Sequence, residues 1–242
     1  HFGSSKPSPL QTYHRRAMAL STENAESIAR CLEMLRAEYN SKATKSADAR
    51  WQLSGEGKMG LESSILKKAE DEYVTVRGRM MFPGVEPEQV IRLVQDCPNR
   101  TAWDDMLQQG LFARHVGEAK TAMLPESTVD IIRLIYKGIP PVTSRDLCLL
   151  RAWGKDEDGA CWLVAESCED DSVPPDSECV RAELRECGYM CVPVSGGCEV
   201  TYIAQTKFNG WIPVFMQNIM VKQQPQTLLK MYEVITAKLQ GA

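Results

Sequence analysis

Glu199-Val200-Thr201-Tyr202-Ile203-Ala204-Gln205 reads as a β-strand, and soon after it comes Trp211-Ile212-Pro213-Val214-Phe215-Met216-Gln217-Asn218-Ile219-Met220. In the second stretch Ile212, Phe215, Met216, Ile219 and Met220 form one apolar helical face. Pro225 then kinks or restarts the helix, and Leu228, Leu229, Met231, Tyr232, Ile235 and Leu239 form a second face. A terminal helix this apolar has to be buried on a wide surface. The concave side of a bent sheet is the surface such a chain offers.

The sheet is legible upstream. Strand patterns recur at Leu111–Val116, Thr121–Leu124, Val129–Tyr136, Asp146–Trp153, Cys161–Ser167, Val180–Arg185 and Tyr189–Val194. Asp158-Gly159, Pro174-Pro175 and Gly196-Gly197 supply turns between them. Short turns between consecutive strands predict an antiparallel meander, not βαβ units. Further upstream, Trp51–Lys58 and Tyr73–Phe82 are extended. Ser21 or Thr22 caps a helix carrying Ile28, Leu32, Leu35 and Tyr39 at helical spacing. A short helix after Pro87 buries Val90, Ile91, Leu93 and Val94 and stops at Pro98. The fold class is α+β with one strongly bent sheet. Residues 1–20, polar and with Pro7 and Pro9, are expected to be a flexible lead, and residues 21–242 one domain. The opening His1-Phe2-Gly3-Ser4-Ser5 looks like an expression remnant or a cut fragment.

Composition removes several function classes. The 242 residues include 28 basic and 32 acidic side chains, a net charge of −4. Such a chain lacks the basic field that general nucleic-acid binding needs. Its longest run without Asp, Glu, Lys or Arg is 14 residues, Phe208 to Val221, short of the roughly 18–20 of a spanning helix. The nine cysteines are odd in number and form no C-x-x-C pair, so reduced thiols in a reducing compartment are expected. The spacing of Cys187, Cys191 and Cys198 matches no common zinc finger. Gly55-Glu56-Gly57-Lys58-Met59-Gly60 spells G-x-G-x-x-G without the strand and helix a dinucleotide site requires, so it reads as a hairpin or loop. Glu169-Asp170-Asp171 reads as a solvated loop. His115 is almost the sole imidazole in the body of the chain, placed on a half-wet strand.

An ordered set of short motifs resembles the START domain, the steroidogenic-acute-regulatory-related lipid-transfer family. The motifs are Trp103-Asp104, Ser144-Arg145-Asp146 running on to Arg151-Ala152-Trp153, Val180-Arg181-Ala182-Glu183, Gly188-Tyr189, Cys198–Gln205 and Gly210-Trp211-Ile212-Pro213 with Asn218. They cover roughly residues 22–240. The resemblance implies a helix-grip fold: a curved antiparallel sheet around a long C-terminal helix, enclosing an apolar tunnel for one lipid. It implies that Gly210–Met220 is a lid and that Gly138-Ile139-Pro140-Pro141-Val142-Thr143 is the loop opening beside it, with Ile139, Pro140, Val142, Trp211, Ile212 and Pro213 at the gate. Arg151, Asp130, Trp103, Tyr202, Trp211, Phe215, Met216, Ile219 and Met220 are then the candidate lipid contacts. Choline-binding relatives use an aromatic cage, and near Val180–Arg185 this chain has Arg185, which puts phosphatidylcholine in doubt. Moving a lipid tail into water costs about 0.8 kcal/mol per CH₂, on the order of 20 kcal/mol or more for two chains of roughly 30 such groups. A carrier must therefore match that apolar environment.

The resulting expectation is a non-enzymatic lipid-transfer domain with no metal and no cofactor other than bound lipid, its partner a transient membrane surface, monomeric and cytoplasmic. An enzyme on the same scaffold, a cyclase or hydratase, would need His115 and Asp130 facing the tunnel. A lipid-sensing domain of a larger protein is the third reading.

Overall fold

The computed structural model describes residues 20–41, 52–56, 58–67, 72–121 and 124–241. The expected N-terminal lead, apart from Leu20, lies outside the described residues, as do Trp51, Gly57 and residues 42–50. The elements are α1 (Thr22–Asn40), β1 (Gln52–Glu56), β2 (Glu62–Lys67), β3 (Val74–Pro83), α2 (Pro87–Gln95), β4 (Leu107–Ala119), β5 (Ser127–Tyr136), β6 (Ser144–Lys155), β7 (Cys161–Ser167), β8 (Cys179–Arg181), β9 (Glu183–Val194), β10 (Gly197–Lys207), α3 (Val214–Gln223) and α4 (Thr227–Gln240). Nine strands form one antiparallel path, β1-β2-β3-β10-β9-β7-β6-β5-β4, and β8 adds to β6 in parallel. The fold is α+β, with the apolar terminal helix against a bent sheet as the terminal sequence predicts; it is the helix grip that the resemblance implies.

Curvature has a local cause. β4 slips register against β5 at three places, between Leu107 and Gln109, Phe112 and Arg114, and His115 and Gly117. Each extra residue bends and twists its strand, so the β4 end of the sheet curls.

Both faces of the central strands are buried, by different helices. On the convex face Ile28, Cys31, Leu32 and Leu35 of α1 pack on Leu150, Trp162 and Val164. Ser21 caps that helix, its Oγ accepting the Asn24 N–H at 3.1 Å. Gly188 lets α1 approach, because a Cβ there would lie 2.7 Å from the Leu163 carbonyl and 2.9 Å from Leu35 Cδ2. On the concave face Leu228, Met231 and Ile235 of α4 join Val76, Met80, Phe82 and Val200. Gly78 makes room for the Pro225 kink, since its Cβ would meet Leu228 Cδ1 at 3.0 Å and Pro225 Cβ at 3.1 Å. Two-sided burial explains why β6 and β7 read as near-continuous apolar runs.

Some expectations fail for identifiable reasons. Val180–Arg185 is not one strand. β8 ends at Arg181, the Ala182 N–H donates to the Asp146 carbonyl at 2.9 Å, and β9 then runs unbroken from Glu183 to Val194. Thr121 and Leu124 belong to the β4–β5 turn, where the Leu124 N–H donates to Thr121 Oγ1 at 3.0 Å; residues 122–123 lie outside the described part. β2, rich in Glu, Ser and Lys, is a strand the sequence does not announce. It pairs with β1 as a hairpin, so the G-x-G-x-x-G segment falls in a hairpin as expected.

α2 is pinned by charge. Its capping box and Pro87 open it, and its last carbonyls, Val94 and Gln95, accept from Arg151 at 3.1 and 3.2 Å. The same guanidinium makes a two-pronged pair with Asp130 at 2.9 and 2.7 Å, both residues 3% exposed or less. Asp130→Ala leaves a buried cation without its anion. The expected loss is about 3–5 kcal/mol, read as a lower urea midpoint with the slope unchanged.

Candidate functional site

Between the concave face and the α3–α4 segment lies a cavity of about 590 Å³. That falls in the roughly 300–1,000 Å³ range of sites that enclose a ligand. Its wall is set by strand periodicity: Ile132 and Leu134 of β5, and Leu147 and Leu149 of β6, all point inward. Burial pushes the Cys187 thiol up to about 12, so it lines the wall as a neutral, unreactive group.

One region of the lining is polar. Arg100 Nε donates to Asp104 Oδ2 at 3.1 Å, and the Tyr136 hydroxyl reaches the same oxygen at 3.3 Å. The Arg100 guanidinium also lies over the Trp103 ring, 4.6 Å from its centroid. Tyr189 and Tyr202 pack ring to ring at 4.8 Å, and burial raises both phenols, which stay protonated. Three buried polar atoms of cavity-lining residues have no hydrogen-bond partner among the described residues: Trp103 Nε1, Thr206 Oγ1 and Gln224 Oε1. Buried polar atoms are normally paired, so these three are hydrogen-bonding capacity that the described fold leaves unused.

The structure brings Arg151, Trp103, Tyr202 and Met220 to the cavity wall. Asp130 sits behind Arg151 as its counter-ion and is not part of the lining. Met216 is buried away from the lining, and Ile212 packs on the concave core. Trp211, Phe215 and Ile219 are not brought to the cavity; they are 69%, 66% and 47% exposed. Pro213 precedes the first turn of α3, and Val142 is buried while Ile139 and Pro140 are exposed in the β5–β6 loop. Among the described residues no helix is long and apolar enough to cross a membrane.

Other candidates fall elsewhere. Arg185 points away from the cavity and stacks 3.9 Å over the Tyr73 ring, whereas Ala182 and Leu184 face inward. The doubt about phosphatidylcholine cannot therefore rest on Arg185. His115 Nε2 lies 4.0 Å from Glu118 Oε1 and is not in the cavity lining, so neither of the two discriminating enzyme positions faces the cavity. Asp170 is no free loop acid. The Arg114 hydrogen bonds, with those of Ser172, hold its carboxyl down at about 2. Sequence reasoning missed Arg100, Asp104 and Tyr136. The signal was an Arg-x-x-x-Asp spacing around Trp103, which places both charges on one side of a single turn.

Comparison with known proteins agrees with this geometry. The START domain family matches residues 33–233. The ceramide transfer protein of Cricetulus griseus is 24% identical over 204 residues, 76% of this chain and 33% of the relative. The human ceramide transfer protein is likewise 24% identical, over 76% of this chain and 31% of its own length. This chain thus spans about a third of the relatives it matches. Human StAR-related lipid transfer protein 5 superposes with a TM-score of 0.64 at 19% identity, covering 89% of this chain and 96% of that one. At that identity the superposition speaks for the fold alone. The family match takes in nearly every element from α1 to α4, and on that ground this chain belongs to the START domain family, the StAR-related lipid-transfer proteins.

Proposed function

We propose that the chain is a non-enzymatic carrier that encloses one lipid and moves it between membranes. The observation that carries this reading is a chamber with an apolar strand wall, an internal polar cluster at Arg100, Asp104 and Tyr136, and exposed apolar side chains outside it. The tails lie along Ile132, Leu134, Leu147 and Leu149, and the head meets Arg100, Asp104 and Tyr136. Arg100 is already neutralised by Asp104, so the cluster suits an uncharged head with hydroxyl, amide or carbonyl groups better than a net anion. Ceramide has such a head, and the likeness to proteins named for ceramide transfer supports that choice over a fatty acid.

The rim is the exposed set Trp211, Val214, Phe215 and Ile219, with Ile139 on the neighbouring loop. Large apolar side chains gathered at a cavity's edge mark an interaction surface, and Trp suits the membrane interface. The domain would act as a monomer, resting transiently on cytoplasmic membrane surfaces.

Native mass spectrometry with lipid extraction tests the reading, expecting one lipid per chain and transfer between vesicles. A protein that stays empty across ceramides, sterols and phospholipids, and transfers none, overturns it. Replacing Trp211 and Phe215 together by Ser is expected to lower vesicle binding and transfer rate about tenfold or more, since each ring loses roughly 1.5–3 kcal/mol of membrane burial. The melting temperature should hold, because both rings are exposed. The paired change Arg100→Gln with Asp104→Asn removes both charges without stranding either one. It is expected to weaken equilibrium lipid uptake about tenfold, as loss of a charged hydrogen bond worth about 1.5–3 kcal/mol implies.

A further inference from the structure

Arg145 is a second buried cation of the cavity wall, and it is held differently from Arg151. It opens β6, is 4% exposed, and has no carboxylate partner among the described residues. Its N–H groups go to four main-chain carbonyls. Nε donates to Phe208 at 3.4 Å, Nη2 to Asn209 at 3.1 Å and to Trp211 at 3.3 Å, and Nη1 to Thr143. Phe208–Trp211 is the root of α3. Thr143 ends the loop that joins β5 to β6.

The root is shaped to present those carbonyls. Asn209 and Gly210 are both left-handed, with φ of 48° and 62°, a rare conformation for two successive residues. The Asn209 amide donates to the Arg181 carbonyl at 3.0 Å and to Glu183 Oε1 at 2.8 Å, fixing the turn to β8 and β9. A side chain at Gly210 is strained by the left-handed φ, and its Cβ would sit tightly, 3.2 Å from Val180 Cγ1. One guanidinium therefore bridges the two segments that flank the cavity, and each carries exposed apolar groups, Trp211 on one and Ile139 on the other.

We propose that Arg145 is the latch of this cavity: it ties the α3 root and the 137–143 loop to β6, so that the two segments part together and only when its carbonyl bonds break. Water alone does not favour that step, because it would expose the apolar lining, Leu147, Leu149 and Phe208 among it, and strip a buried cation of its acceptors. A membrane surface that takes up Trp211 and Ile139 offsets the loss. Arg145 is thus a positioning residue that makes opening depend on contact with lipid. The inference rests on the carrier reading above.

Amide hydrogen exchange tests the latch without any bound ligand. In the wild-type chain, residues 137–143 and 208–220 are expected to exchange slowly in buffer and faster with phosphatidylcholine vesicles. Arg145→Gln is expected to speed both segments about tenfold in buffer while leaving α1 and the central strands unchanged, and Arg145→Lys to restore part of the protection. A general structural role would instead raise exchange across the sheet. If Arg145→Gln does not fold, Gly210→Ala, which keeps the guanidinium and strains the left-handed turn between two of its acceptors, decides by the same readout. Wild-type exchange in a folded variant, or acceleration of one segment alone, overturns the latch. Failure of the carrier reading shows separately, as a protein that extracts and transfers no lipid whatever its exchange pattern.

Discussion

The ladder between β3 and β10 is the constraint from which the rest follows. It pairs Val74–Pro83 with Gly197–Thr206, joining strands from opposite ends of the chain. With β3 beside β10 and β4 at the far edge, the segment from Gly84 to Met106 must travel from the third position of the sheet to the ninth. α2 makes that crossing and packs against β7, β9 and α4 on the way. Arg151 and Asp130 fix where it ends. Trp103, Arg100 and Asp104 lie on the remainder of the same crossing, so the polar cluster of the cavity is a product of sheet order. Bulges in β4 curl the sheet, and Gly78 in β3 admits the Pro225 kink of the terminal helices.

Three arginines of the cavity wall show how one residue type is put to different uses by its partners. Arg151 has a carboxylate on one side and two helix carbonyls on the other, so its charge is met twice and it binds elements together. Arg100 has one carboxylate, one phenol and an aromatic face, leaving capacity directed at the cavity. Arg145 has carbonyls only, all from chain flanking the cavity. Burial lowers its proton affinity, yet a guanidinium stays charged, so each acceptor matters. The gradient from fully paired to carbonyl-held runs from the sheet framework to the root of α3.

Much of this was legible in the sequence, and the misses have physical reasons. The apolar runs of β6 and β7 and the kinked terminal helix declare themselves because packing on the core needs those residues in that order. β2 does not, because Ser63 and Ser64 are buried by strand pairing that no local pattern reveals. Glu186-Cys187-Gly188 carries no strand alternation, so β9 reads as two pieces, although Arg185 keeps the wet-face place it has in the sequence and lies outward over Tyr73. Arg100 and Asp104 look like a solvated pair on a turn; only the curl of the sheet around them makes them interior. For Phe215 and Ile219 the sequence gives apolar character but not direction. Helical spacing predicts a common buried face, whereas α3 turns Phe215 and Ile219 outward and keeps Met216 and Val221 inside.

That outward turn sits beside an unmet interior. An ordinary globular domain hides its apolar groups and pairs its buried polar ones. Here Trp211, Val214, Phe215 and Ile219 stand in water, while Trp103 Nε1, Thr206 Oγ1 and Gln224 Oε1 are buried without partners among the described residues. On the carrier reading proposed above, a membrane removes the first by taking up the exposed rings, and a lipid whose head carries hydrogen-bonding groups removes the second by filling the chamber. The two remedies then come from the same place, since the surface that relieves the exposed rings is also the reservoir of the ligand.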